Sequence, residues 1–215
     1  MTDNKNHDTV NKALGFPKME EFEAELLRLM NQTDTENSGS VILALTDCDN
    51  FGHINTDFGR EYGDKVLIDT GLYLSSKLPD GATIYRVSGD EFGIIFNNDM
   101  EKEDVFLFLE EVRRGYDIKL RNGEQLTISI GIAAAFEDAT RVQELIRKAE
   151  SALFRAKATG HNKIALAKEE KMVPKTSHYT NDQLKCLTKL SKREGVGEAI
   201  LLREALDMLL KKYDI

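Results

Sequence analysis

Two acidic clusters in this 215-residue chain each follow directly on an apolar, β-rich run. The segment "TDCDNFGHINTDFGREYGD", 46–64, carries five acids and three glycines after the run "SVILAL". The segment "SGDE", 88–91, lies between "TIYRV" and "FGIIF". If the strands that lead into these clusters are neighbours, Asp47 and Asp90 share one edge of a sheet. Two carboxylates with a nearby backbone carbonyl form a hard oxygen site suited to Mg²⁺. Such an ion clamps phosphate oxygens and stabilises the charge that builds up in phosphoryl transfer. Acids in exposed turns are commonplace singly; two clusters, each at the end of a β-run, are what point to a site.

The elements that must position these residues follow from periodicity. "FPKMEEFEAELLRLMNQT" places Phe22, Leu26, Leu27 and Met30 on one helical face, with Pro17 suited to a first turn. "VILALTD" is short, continuous and apolar, as expected of a strand buried on both faces. "YGDKVLIDTGLYLSSKL" returns to helical spacing through Val66, Leu67, Thr70, Leu72 and Leu74, and "PDG" stops it. "TIYRV" and "FGIIF" read as a hairpin with an acidic tip. The helix "EDVFLFLEEVRRGY", the strand "LTISIGIAAA", the amphipathic helix "RVQELIRKAESALFRAKATG" capped by Gly160, and the strand "HNKIALA" complete the series. This order predicts an α/β fold with a largely antiparallel or mixed sheet covered by helices. Residues 1–12 are polar and are expected to form a flexible tail.

Composition narrows the class. A formal net charge of −8 argues against a polybasic coat for nucleic acid or lipid. No apolar stretch nears the ~20 residues needed to cross a bilayer, and the N-terminus lacks the apolar core of a signal peptide. Cys48 and Cys186 lie far apart and without metal-ligand spacing, so free thiols and a cytoplasmic location are expected, with no membrane partner. The balance of charge changes late in the chain: residues 168–215 carry net +2 and those before them net −10. A boundary near 168 divides the chain into the tail 1–12, a main domain 13–167 and a small module 168–215.

Taken together, "RVSGDEFGIIF", "DCDNFGHINTDFGREYGD", "LTISIGIA" and "AESALFRAKATGHNK" occur in the order expected of the GGDEF domain, the diguanylate cyclase family, and the chain resembles that family over about residues 13–167. "LGFPKMEEF" is similar to its opening segment. The resemblance implies a polymerase-palm-like fold, a central, mostly antiparallel sheet flanked by helices. It implies that Asp47, Asp90 and the backbone carbonyl of Cys48 hold Mg²⁺ or Mn²⁺. Glu91 beside them would be a second-metal ligand or a base for the ribose 3′-hydroxyl. Asn55 and Asp64 would read guanine. Phe51, Ser88 and Gly89 would line the GTP site, and Lys157 and His161 would face the triphosphate. The implied reaction joins two GTP into cyclic di-GMP and two pyrophosphates across a dimer.

Several positions depart from the family pattern. Gly52 stands where a phosphate-binding Lys is usual, Thr56 replaces an Asp, Arg60 a His, Ser88 the first Gly, and His161 an Arg. The metal ligands and guanine readers are kept, which favours an active cyclase; a weak or inactive domain that senses GTP or a dinucleotide is the alternative. Pro79 and Ala82 occupy the positions of the family's inhibitory Arg-x-x-Asp, so no product inhibition through that site is expected.

The segment after 168 resembles a ribbon–helix–helix module. Thr180 and Gln183 form a capping box, Leu184, Leu187 and Leu190 would face inward on a first helix, and Ile200, Ala205 and Leu209 would form the core of a second after "EGVG". The ribbon would span about 173–179, with Thr176 and His178 as candidate base readers. This module implies a homodimer, with DNA as a further candidate partner, although a balance of +2 is weak for phosphate contact.

Overall fold

Strand β1 (Ser40–Cys48) is buried along all but its first residue and forms the centre of the sheet. The computed structural model describes residues 3–33, 40–168, 175–194 and 197–213. Before β1 lie helices α1 (Asp3–Leu14) and α2 (Met19–Thr33). After it come α3 (Phe51–Phe58), α4 (Arg60–Lys77), β2 (Ala82–Arg86), β3 (Glu91–Asn98), α5 (Lys102–Arg114), β4 (Ile128–Ala134), α6 (Val142–Ala158) and β5 (Ile164–Leu166). Helices α7 (Asn181–Glu194) and α8 (Glu198–Lys212) follow. The chain divides into two compact units between Lys168 and Glu169.

In the first unit the sheet order is β2-β3-β1-β4-β5. β1 runs antiparallel to β3 and β4, β2 antiparallel to β3, and β5 parallel to β4. Because side chains alternate along a strand, β1 supplies both faces of the core. Ile42, Ala44 and Cys48 join Val10, Val66, Leu67, Leu74, Val105 and Leu109 on one face. Val41, Leu43 and Leu45 join Phe22, Leu26, Leu145, Ala149 and Leu153 from α2 and α6 on the other. Asp47 continues that second series and therefore points to the α6 side.

Helix α6 lies close against β4. A Cβ at Gly131 would sit 2.2 Å from the carbonyl oxygen of Ala149 and 2.3 Å from the backbone nitrogen of Leu153. Only a residue without a side chain allows that approach.

The structure departs from the sequence reading in several places. Residues 3–14 are helical rather than a flexible tail. Val10 is buried in the core, and Leu14 packs so near Gly71 that a Cβ there would meet it at 2.9 Å. Two apolar anchors, Val10 and Leu14, are too sparse a signal to stand out from a polar background. Leu27 and Leu72 are exposed, and Leu29 replaces Leu27 in the core of α2. Helix α3 is a separate element that the acidic run concealed. In the second unit, Thr180 N–H donates to Gln183 Oε1 at 2.9 Å and Gln183 N–H to Thr180 Oγ1 at 3.2 Å, the expected capping box. Thr188 Oγ1 donates to Glu198 Oε1 at 2.6 Å and ties α7 to α8. Leu184 and Leu209, read as core, are 42% and 51% exposed, and Leu190 is exposed as well. A two-helix unit has too little surface of its own to cover them. Residues 175–180 have no regular structure; the rest of the proposed ribbon, 173–174, and part of "EGVG", 195–196, lie outside the described residues.

Gly131→Ala is expected to lower stability by roughly 1–3 kcal/mol or more, because the added methyl meets helix backbone that cannot rotate aside. Urea denaturation of the two proteins checks it; equal midpoints would mean that α6 has slack against β4.

Candidate active site

The end of β1, the start of β3 and the last turn of α6 meet at one edge of the sheet. Asp47 pairs directly with Glu91 across β1 and β3 and with Ser129 across β1 and β4. Directly opposed residues share a face, so Asp47 and Glu91 both lie on the α6 side. Asp90 is the residue before β3, in the hairpin turn, and its charge acts on Asp47. The strand ends thus bring Asp47, Asp90 and Glu91 together.

Asp47 is only 1% exposed. Neither carboxylate oxygen accepts a well-directed hydrogen bond among the described residues. The ammonium of Lys157, in the last turn of α6, stands 2.7 Å from Oδ2 as an ion pair, close but not aligned. Burial is the main reason that the Asp47 pKa rises from 3.8 to about 7, with the charge of Asp90 adding to the rise; Lys157 opposes both, and Glu91 raises it further. A buried carboxylate beside two more acids, with one ammonium against it, is a poor structural element and a good cation ligand. Among the described residues no group of three or more His, Cys, Asp or Glu side chains is placed to hold a metal ion by itself. Carboxylate oxygens are hard donors, and by their chemistry they suit a divalent ion that takes its remaining oxygens from water and phosphate, as Mg²⁺ does. Cys48 is no competitor: burial pushes its thiol far up, and its Sγ is in contact with Thr70 Oγ1 at 3.6 Å.

The hairpin turn is braced from beneath. Arg86 is buried, and its Nη2 donates to the Gly89 carbonyl at 2.5 Å and its Nε to the Ser88 carbonyl at 3.4 Å. Burial lowers its pKa, while Asp64 and Asp90 favour its charge, so the guanidinium lies in the field of both acids. Ser88 is exposed and its hydroxyl donates to Glu91 Oε2 at 3.4 Å.

Helices α3 and α4 form a corner at Gly59, whose φ of +85° suits glycine. A Cβ at Gly63 would lie 2.0 Å from Asn55 Oδ1 and 3.1 Å from Phe51 Cζ. Gly63 therefore makes room for the Asn55 amide, and Asp64 follows it on α4. Asn55, Asp64 and Phe51 are all half-buried, open to a ligand on one side. Gly52 and Arg60 are exposed at the starts of α3 and α4.

Beyond α6 the chain passes through Gly160, His161 and Asn162, all at positive φ. His161 is half-buried and donates its backbone N–H to the Lys157 carbonyl at 3.1 Å. Sequence reasoning gave no role to Asp49, which accepts hydrogen bonds from Thr127 Oγ1 at 2.6 Å, Ser129 Oγ at 2.7 Å and the Asn162 N–H at 2.9 Å. Its two-residue spacing from Asp47 was the available signal, since it implied a shared face.

Comparison with known proteins agrees with this geometry. Residues 11–163 match the family described as diguanylate cyclase, GGDEF domain, and residues 172–214 match the ribbon-helix-helix domain. An uncharacterized membrane protein of Staphylococcus aureus strain USA300 is 28% identical over 166 residues, covering 74% of this chain and 46% of the relative. The chain thus spans about half the length of such relatives; among its own described residues no helix is long and apolar enough to cross a membrane. The GGDEF domain of YfiN from Pseudomonas aeruginosa superposes with a TM-score of 0.68 at 24% identity, covering 73% of this chain and 99% of that one. The GGDEF domain of DgcB from Caulobacter crescentus, solved with c-di-GMP, gives 0.64 at 25% identity, covering 71% and 89%.

Asp47 is expected to give the metal-free protein a distinctive pH dependence. A folded-state pKa of about 7, above the ordinary 3.8, means that the folded chain holds the proton more tightly than the unfolded chain. This contribution is complete below about pH 4 and is lost as pH rises through about 7. Thermal unfolding in chelator should show a larger drop in Tm between pH 5 and 8 for the wild type than for Asp47→Asn. Added Mg²⁺ should raise the wild-type Tm more at pH 8 than at pH 5. Parallel profiles for the two proteins would contradict the assignment.

Proposed function

This chain belongs to the diguanylate cyclase GGDEF-domain family, and we propose on that premise that it condenses two GTP into cyclic di-GMP and two pyrophosphates. The observation that carries the reading is the buried Asp47 carboxylate, opposite Glu91 and in the field of Asp90, with the Lys157 ammonium as its close partner. Asp47, Asp90, Glu91 and the Cys48 carbonyl would hold Mg²⁺ or Mn²⁺. Such an ion, when bound, draws charge from phosphate oxygens and lowers the cost of the charge that develops on them.

The chain's own side chains bind and orient the nucleotide. The Asn55 amide both donates and accepts, and Asp64 accepts from the guanine N1 and N2 groups. A base that lacks those partners would leave buried polar groups unpaired, at ~1–3 kcal/mol per lost bond. Phe51 supplies an apolar wall beside Asn55. Gly89, held by Arg86, lets the turn approach the phosphates, and Ser88 holds Glu91 in place. Glu91 accepts the proton as the ribose 3′-oxygen attacks the α-phosphorus of the second GTP. The bond to the bridging oxygen breaks, and pyrophosphate leaves toward Lys157 and His161. Repetition in the opposite sense closes the ring, so two domains must face each other.

The dimer is proposed to form through residues 168–215, whose exposed Leu184, Leu190 and Leu209 need a second copy to cover them. DNA binding by the same module is a subordinate proposal, with Thr176 and His178 as candidate contacts.

Purified full-length protein with GTP and Mg²⁺ is expected to yield cyclic di-GMP, and Asp90→Ala to reduce turnover at least ~10²-fold through loss of transition-state stabilisation. Unchanged turnover in that variant would discredit the site. GTP binding with no dinucleotide product would instead identify a nucleotide-sensing domain. Added cyclic di-GMP should not inhibit, because Pro79 and Ala82 carry no charge for a guanine edge or phosphate; strong inhibition at low product concentration would contradict this. Leu184→Asp combined with Leu209→Asp should give a monomer in sedimentation experiments and abolish turnover with the main domain still folded. A salt-dependent shift of duplex DNA by the full chain would support the subordinate role.

A further inference from the structure

Asp47 and Asp49 lie two residues apart on the same side of β1, yet their surroundings are opposite. Asp47 has only the Lys157 ammonium, 2.7 Å from its Oδ2, whereas Asp49, 3% exposed, has both oxygens engaged. Oδ1 accepts from Ser129 Oγ; Oδ2 accepts from Thr127 Oγ1 and from the backbone N–H of Asn162. Its own N–H donates to the Thr127 carbonyl at 3.0 Å. Three donors converge on one carboxylate, which accepts from all of them at once; removing it leaves the Asn162 N–H and both hydroxyls without that acceptor.

The donor from Asn162 matters most, because of where it sits. His161 and Asn162 adopt φ of +57° and +50°, a left-handed region that few side chains enter and that Asn and His tolerate best. Two such residues in succession persist only where neighbours hold them. Asp49 holds the Asn162 backbone, and Arg113 Nη1 donates to Asn162 Oδ1 at 2.5 Å. The His161 and Gly160 N–H groups in turn both donate to the Lys157 carbonyl. A chain of contacts therefore runs from Asp49 through Asn162 and His161 to the turn of α6 that bears Lys157.

We propose that Asp49 is a positioning residue for the phosphate end of the nucleotide: its buried carboxylate latches the His161–Asn162 turn, and with it Lys157, to the end of β1 that carries Asp47. This rests on the reading of the site as a GTP site. The latch has particular weight in this chain, which has Gly52 where a cation is usual and so relies on Lys157 for positive charge at the phosphates.

Asp49→Ala in the full chain tests it, with binding of a non-hydrolysable GTP analogue measured by calorimetry and amide exchange followed over residues 157–163. The analogue should bind about ten-fold more weakly, the size expected for losing one charge-assisted hydrogen bond. Exchange should accelerate in 157–163 while the β1 and β3 amides keep their protection. In turnover the loss should fall on KM rather than kcat, with the Mg²⁺ concentration for half-maximal activity unchanged. Should Asp49→Ala fail to fold, two changes at the exposed Asn162 carry the test. Asn162→Gly, which accepts positive φ freely, should stay near wild-type affinity; Asn162→Val, which resists it, should bind as weakly as expected for Asp49→Ala. Wild-type affinity in both Asp49→Ala and Asn162→Val overturns the latch, as does a raised Mg²⁺ requirement with unchanged affinity, which would make Asp49 a metal ligand. Analogue binding by the wild type without cyclic dinucleotide production defeats the cyclase reading alone and leaves the latch standing; a wild type that does not bind the analogue overturns both.

Discussion

A carboxylate is buried at the end of the central strand with nothing well placed to donate to it. Burying a charge is costly unless it is paired, and Asp47 has only a misaligned ammonium for a partner. Its raised pKa records that cost. The sheet, the packing of α6 and the braced hairpin all serve to keep the oxygens in this unfavourable setting, where a divalent ion and a polyphosphate would relieve it. Local strain of this kind at a site is stored at the expense of stability and is supported by a rigid surround.

Rigidity comes from close backbone contacts and from long side chains that are themselves buried. Gly131 lets α6 rest directly on β4, so Lys157 is carried by a helix with little freedom to shift. Gly63 plays the matching part between α3 and α4, where the Asn55 amide fills the space of a missing Cβ. Arg86 fixes the hairpin through the Ser88 and Gly89 carbonyls. Elsewhere Lys102, buried against Glu137 and Asp138, fastens the start of α5 to the loop after β4 in the same manner, far along the chain from the acidic edge. The second unit is different in kind. Its helices are capped and tied to one another, but several of their larger apolar side chains, Leu184, Leu190 and Leu209 among them, are exposed.

Much of this was legible in the sequence because it depends on local pattern. The continuous run before Asp47 marked a doubly buried strand, the four residues between "TIYRV" and "FGIIF" marked a hairpin, and Thr180 with Gln183 marked a helix start; each is a short-range rule of backbone geometry. Helix α1 escaped because a single buried Val10 carries no period, and Leu27 and Leu72 were misplaced because helical spacing defines a stripe without saying how wide its cover will be. Asp49 escaped for another reason: its partners Thr127, Ser129 and Asn162 are small polar residues about eighty or more positions away, and no local pattern says that they meet it.

By itself the sequence determined which residues are chemically able to act: three acids at two strand ends, an amide and a carboxylate beside small glycines, and a lysine near the end of an amphipathic helix. It also determined the period-two alternation that commits Asp47 to the same side as Leu43 and Leu45. Only the tertiary structure decided which helix covers that side, that the Lys157 ammonium reaches Asp47, and that of two nearby acids one has that ammonium alone while the other accepts from three donors. The reason is physical: alternation along a strand is a property of the local backbone, whereas desolvation and the convergence of donors are set by segments that meet only when the chain has folded.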